Sequence, residues 1–305
     1  MKPITQENVR LGFVGVGYMG RPIARRLLES GFKLTAYDRE PSKAEELTRY
    51  GGTVAHSVLE LSSSCNVLLS CLPSDEAVLD IYGGPNGVFA HACRGLVVID
   101  LSTVYPETSQ ELSRLASARG VEVLDVTISG STPAAENGLL TLFGGGDKKC
   151  FDAAESIFLV IAKNHFYLGP SGSGATMKLV VNTLLGIGMQ AIAEAVALGE
   201  KAGLDRNRLL DVLSQTAVVA PAHVGKLQRA MKSDYSPQFP IRLMNKDFGL
   251  IFDLANAVGA RMPAAGAAFE INARQSDEGP EQDFSAVILQ MEKRAHLGSN
   301  GNGRT

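Results

Sequence analysis

Three groups of residues in this sequence have the types and spacings that chemistry needs. The first is Gly15-Val16-Gly17-Tyr18-Met19-Gly20, a G-x-G-x-x-G. In such a turn the first glycine permits the bend, the second lets backbone approach a pyrophosphate, and the third lets a helix pack closely on a strand. A helix opening there presents free N–H groups and a partial positive charge to phosphates. The second group is Asp38 with Arg39, at the spacing from the glycines where a carboxylate accepts hydrogen bonds from adenosine ribose hydroxyls. Asp38 repels a 2′-phosphate and favours NAD, whereas Arg39 offers a contact to that phosphate, so NAD or NADP fits, with NAD favoured. Asp38 also reads simply as a turn residue ahead of Pro41. The third group is Lys178 and Asn182, four apart in the apolar stretch MKLVVNTLLGIGM and therefore on one helix face. A lysine there either snorkels to solvent or borders a cleft and moves protons. Periodicity leaves those two open.

These residues need a frame. Leu11–Val16 is an apolar run that reads as a strand, directly before the glycine turn, and Met19–Ser30 reads as the helix after it. Lys33–Tyr37 is the next strand, Ser42–Tyr50 a helix, and Val67–Leu72, Leu96–Leu101, Val121–Val126 and Leu140–Phe143 continue the strands. Strands alternating with helical stretches predict an α/β fold, an N-terminal doubly wound parallel sheet of Rossmann type. Leu72-Pro73 and Thr103 then fall just past strand ends, where loops line the ligand crevice of such sheets. The turn-rich Gly169–Gly174 ends the alternation. Helical patterns follow over Ala175–Ala202, Asn207–Ser214, Val224–Lys232, Asn245–Val258, Pro263–Arg274 and Ser285–Arg294. The expected organisation is a dinucleotide-binding domain over 1–170, an all-α domain over 171–297 and a disordered tail over 298–305.

Composition narrows the function classes. The chain has 305 residues, 45% hydrophobic, with a net charge of −3 and no basic tract, which argues against a nucleic-acid partner. Cys65, Cys71, Cys93 and Cys150 form no C-x-x-C pair; Cys65 and Cys71 flank an apolar run and read as small hydrophobes, a pattern that suits a reducing, cytoplasmic setting. The N-terminus lacks an apolar signal core, and neither secretion nor a membrane is expected. The histidines are scattered, without a metal-binding pattern.

Four motifs, GFVGVGYMGRPIA with Asp38, DVTISGSTPAAENGLLT, GSGATMKLVVN and the Lys246-Asp247 pair in MNKDFGL, occur in an order and spacing that resembles the β-hydroxyacid dehydrogenase family, over nearly the whole chain to about residue 297. The resemblance implies a hydride transfer between a nicotinamide dinucleotide and a small β-hydroxy acid or semialdehyde acid of the 3-hydroxyisobutyrate or tartronate semialdehyde type. It implies Lys178 as the general acid/base, Asn182 holding substrate, Ser129 and Gly130 (with Ser131 beside them) binding the substrate carboxylate, and Thr103 and Lys246 lining the cofactor site. It also implies a homodimer or homotetramer. In oxidation a neutral Lys178 is needed, and desolvation and an oxidised nicotinamide would lower an ordinary lysine value near 10.4. Two positions depart from the pattern. Ser131 stands where the family commonly has a second glycine, and Ala77 stands where 3-hydroxyisobutyrate dehydrogenases often carry asparagine. The alternatives are an imine reductase-like enzyme, against which the retained lysine argues, and a non-catalytic nucleotide sensor on the same fold. Among the bland candidates are His223, Phe239, Glu194 and Asp247, the last as an ion-pair partner of Lys246.

Overall fold

A computed structural model describes residues 2–91 and 94–297. Cys93 and the tail expected to be disordered lie outside those residues. The chain divides into two compact units, Met1–Leu179 and Val180–Thr305.

The first unit is built on one sheet. Its strands are β1 (Leu11–Val14), β2 (Leu34–Tyr37), β3 (Thr53–Val54), β4 (Val67–Ser70), β5 (Val97–Asp100), β6 (Glu122–Ser129), β7 (Leu140–Gly145) and β8 (Ala162–Gly169). Their order is β3-β2-β1-β4-β5-β6-β7-β8. The order reverses at β1, which pairs in parallel with both β2 and β4. Such a switch point opens the crevice where doubly wound sheets take ligands. The sheet is buried on both faces. Phe13, Leu69, Ile99 and Leu124 pack on one side with Ile23 and Leu27 of the helix Gly20–Glu29. Val14, Leu68, Val98 and Val123 pack on the other with Tyr82 and Leu112. This two-sided burial is why these strands read as unbroken apolar runs.

The first unit departs from the sequence expectation in several places. β7 runs antiparallel to β6. Residues 130–139 between them are too few for a parallel crossover, which takes about a dozen or more. β8 carries no apolar run. It is an edge strand, with Phe166 and Leu168 exposed. The helix expected over Ser42–Tyr50 is a short α-turn, Pro41–Glu45, followed by a 3-10 turn, Glu46–Tyr50, which ends at Gly51 in the left-handed region.

The long helix Ser173–Lys201 starts in the first unit and continues into the second. It is long and apolar enough to cross a membrane by length and composition. Core helices meet the same test. Here Ala175, Leu179, Met189, Ala193 and Val196 are buried, while Val180, Leu184 and Leu198 are exposed. The second unit continues with helices Arg206–Ser214, Pro221–Ala230, Ile241–Val258, Pro263–Glu278 and Val287–Arg294. Asp205 starts the first of these by accepting a hydrogen bond from the Arg208 N–H at 2.9 Å.

Candidate functional site

The glycine turn sits at the end of β1, and its backbone leaves no room for side chains at two of the three glycines. Gly15 has φ +89, and a Cβ there would run into the Cys71 carbonyl. A Cβ on Gly20 would run into the Gly15 carbonyl, so only glycine brings the helix Gly20–Glu29 this close to the strand. At Gly17 a Cβ would meet nothing within 4 Å. The turn therefore packs tightly below and stays open above, which is the cradle a pyrophosphate needs. Val16 is buried, Met19 half-buried and Tyr18 exposed.

Asp38 follows β2 and touches this turn directly. Its Oδ2 accepts from the Val16 N–H at 2.8 Å and its Oδ1 from the Glu40 N–H at 2.9 Å. The carboxylate thus braces the glycine turn and shapes its own. Arg39 is exposed beside it.

The loops after β4 and β5 are tied together. Leu72 N–H donates to Ser102 Oγ at 2.9 Å, and Ser102 donates through its hydroxyl to Asp100 Oδ1 at 2.6 Å. Ser70 Oγ donates to the same oxygen at 2.7 Å, and Tyr82 OH donates to Ser70 Oγ at 2.7 Å. Burial pushes the Asp100 carboxyl up, against the hydroxyl donors that lower it, and pushes the Tyr82 phenol well up. This buried network fixes the positions of Leu72, Pro73 and Thr103. Sequence reasoning missed it. The only signal was polar residues interrupting two otherwise apolar strand ends, VLLS and VVID.

β6 ends at Ser129, and Gly130 (φ +138) turns the chain out of the sheet toward Ser131, which precedes the short helix Thr132–Glu136. The same strand holds the start of the long helix. Asp125, buried on β6, accepts from the Gly172 N–H at 2.9 Å through Oδ1 and from the Ala175 N–H at 3.0 Å through Oδ2. Thr127 Oγ1 donates to the Gly174 carbonyl at 2.8 Å. Lys178, three residues beyond Ala175, is half-buried.

The other candidate residues belong to the second unit. Asn182 is 1% exposed and donates through Nδ2 to Asp247 Oδ2 at 2.6 Å. Lys246 pairs with Asp247 Oδ1 at 3.0 Å. The expected Lys246–Asp247 ion pair is present, and Asn182 joins it, which no sequence spacing announced. The bland candidates are structural. The ring Nε2 of His223 bonds the Leu185 carbonyl at 2.9 Å, and burial lowers its pKa. Phe239 packs edge-on to Phe284, and exposed Glu194 accepts from Gln190.

Residues 10–169 match the family described as the NAD binding domain of 6-phosphogluconate dehydrogenase, and residues 172–291 the one described as NAD-binding of NADP-dependent 3-hydroxyisobutyrate dehydrogenase. The chain belongs to the β-hydroxyacid dehydrogenase family. It is 37% identical over 281 residues to glyoxylate/succinic semialdehyde reductase 1 of Arabidopsis thaliana, covering 92% of this chain and 97% of that one. The solved 3-hydroxyisobutyrate dehydrogenase of Salmonella typhimurium superposes with a TM-score of 0.85 at 27% identity, over 92% of this chain and 99% of that one. That of Mycobacterium tuberculosis, solved with L-serine, gives 0.81 at 30% identity over 93% and 99%. As a β-hydroxyacid dehydrogenase the chain is an NAD(P)-binding oxidoreductase, and either nicotinamide dinucleotide fits it. The open face at Gly17 and the carboxylate at the turn agree with that cofactor.

Proposed function

We propose that this β-hydroxyacid dehydrogenase interconverts a small semialdehyde acid and the corresponding hydroxy acid, with Lys178 as the general acid/base. The observation that carries the reading is the placement, in one compact unit, of the dinucleotide cradle, the Ser129–Ser131 strand end and a half-buried lysine. Gly15–Gly20, Asp38, Arg39, Leu72, Pro73 and Thr103 hold the dinucleotide. When bound, the nicotinamide supplies or accepts the hydride at the reacting carbon.

Ser129, Gly130 and Ser131 receive the substrate carboxylate through N–H and hydroxyl donors. In reduction the Lys178 ammonium gives a proton to the former aldehyde oxygen, and solvent restores it. In oxidation the neutral amine removes the hydroxyl proton. Asn182 commits its nitrogen to Asp247, and its buried Oδ1 has no partner among the described residues. The relative named as a glyoxylate/succinic semialdehyde reductase supports an aldehyde acid as substrate. The exposed apolar side chains Val180, Leu184 and Leu198 support a homodimer or homotetramer.

The test is turnover, followed at the reduced-nicotinamide band, with both dinucleotides against glyoxylate, succinic semialdehyde, tartronate semialdehyde and 3-hydroxyisobutyrate. Lys178→Ala should lose about 10²–10⁴-fold in kcat while the dinucleotide still binds. Turnover by Lys178→Ala at the wild-type rate, or dinucleotide binding without turnover across the panel, rejects the reading.

A further inference from the structure

We propose that Asp125 is a positioning residue for Lys178, its carboxylate locking the start of the lysine's helix to the strand that ends in the Ser129–Ser131 segment. This rests on the assignment of Lys178 as the acid/base. The first N–H groups of any helix lack intrahelical acceptors, and a cap on the preceding residue ordinarily serves them. Here the acceptor comes from β6. One carboxylate oxygen takes the Gly172 N–H and the other the Ala175 N–H. Thr127, two residues along the same strand, adds a bond to the Gly174 carbonyl. The helix start is thus stitched to β6 by three hydrogen bonds within residues 172–175, and glycine at 174 is what lets it come so close. A Cβ there would run into the Asp125 and Phe143 carbonyls.

Two features separate this arrangement from an ordinary cap. The Asp125 side chain is buried, and burial pushes its carboxyl up to about 6 against the backbone N–H groups that lower it. An asparagine would avoid that burden but offers a single acceptor oxygen, so only the carboxylate serves both N–H groups at once. The strand is also shared. Asp125 sits four residues before Ser129, and Ala175 sits three before Lys178, nearly one helical turn. One strand therefore sets the distance between the carboxylate-binding end and the proton donor. A displacement of about 1 Å between such groups costs on the order of 10²-fold in rate.

The experiment compares wild type with Asp125→Asn, which keeps the shape but removes the charge and replaces one acceptor by a donor. The readouts are kcat, dinucleotide Kd by fluorescence and hydrogen exchange of the 171–180 backbone. Asp125→Asn should lose about 10–100-fold in kcat. Its dinucleotide Kd should stay within about threefold (under 1 kcal/mol), and exchange should accelerate at 172–178 alone. Wild-type kcat in Asp125→Asn overturns the proposal, as does a fall in kcat and dinucleotide binding in the same proportion. If Asp125→Asn does not fold, Thr127→Val decides. Removing the Gly174 bond should lower kcat severalfold at unchanged dinucleotide affinity, and an unchanged kcat overturns the proposal. An inactive wild type sinks the assigned reaction instead, and the exchange measurement still reports on the clamp.

Discussion

The two units bury their charges by opposite means. In the first, the carboxylates of Asp100 and Asp125 are taken out of water against uncharged donors, serine hydroxyls for one and backbone N–H groups for the other. Both carboxyls are pushed up by that burial. In the second, buried acids face cations. Asp283 takes the Lys226 ammonium at 2.6 Å and also receives the Gln238 and Phe239 N–H groups, and Asp247 faces Lys246. Glu200 and Glu292 share Arg206, and burial with the Glu292 charge raises Glu200 to about 7. The helical unit adds a cation to its buried acids, even where they also take backbone N–H groups as Asp283 does. The sheet unit sets its acids on strands, Asp100 at the end of β5 and Asp125 within β6, where they satisfy loop and helix-start donors.

The comparison breaks most visibly at Lys226. Lys226→Met leaves the Asp283 carboxylate, 0% exposed, without its cation. Removing one member of a buried pair typically costs about 3–5 kcal/mol. Urea unfolding should therefore show the midpoint falling sharply, with recovery in a Lys226→Met, Asp283→Asn double variant. A loss below about 1 kcal/mol would mean that the backbone N–H donors alone hold Asp283, as in the first unit, and the contrast between the units would fail.

A smaller effect separates the units by pH. Asp125 has a folded value of about 6 against 3.8 for the free group. Between those values the folded chain holds a proton that the unfolded chain releases. Stability from this group is therefore complete below about pH 4 and lost as pH rises through about 6. The shift of roughly two units corresponds to about 3 kcal/mol as an upper figure. Unfolding free energies of wild type and Asp125→Asn, subtracted at pH 4.5 and 7.5, should differ in that direction. Asp100 stands in register with Asp125 on β5 and titrates with the same sign, but it is common to both proteins and cancels in the difference. A pH-independent difference would mean that Asp125 is not desolvated.

How far these features could be read from sequence follows the same division. The apolar runs at β1, β4 and β5 and the glycine turn announced the sheet unit because two-sided burial and a φ of +89 at Gly15 leave direct marks on residue choice. β8 left none. As an edge strand it spends alternate positions on solvent, and AKNHFYLG carries no continuous apolar run. The antiparallel return of β7 was implicit only in the short connection after Ser129. Within the site, the motif residues were legible, but their supports were not. Asp100, Ser70, Asp125 and the Asn182–Asp247 bond act through contacts 25 or more residues apart in sequence, and single polar letters inside apolar runs do not say which partner they meet.

The smallest change in folding should come at the glycine where an added methyl meets nothing. Gly17 is not at positive φ, and a Cβ there meets no atom within 4 Å, so Gly17→Ala should unfold within about 0.5 kcal/mol of wild type. Its neighbours in the turn behave otherwise, since a methyl at Gly20 must displace the Gly15 carbonyl that the helix packs on. If the space above Gly17 is where the pyrophosphate lies against backbone, the alanine methyl occupies it, and dinucleotide Kd should rise about tenfold or more (about 1.4 kcal/mol) with stability intact. Calorimetric titration with NADH and NADPH, run beside a melt of the unliganded variant, reads both quantities on one sample. An unchanged Kd would show that the opening at Gly17 is plain surface, and the cradle would then have to be sought elsewhere along the ends of β1 and β4. A raised Kd with an unchanged melt marks the sheet unit as holding ligand space in reserve, at a position that folding does not constrain.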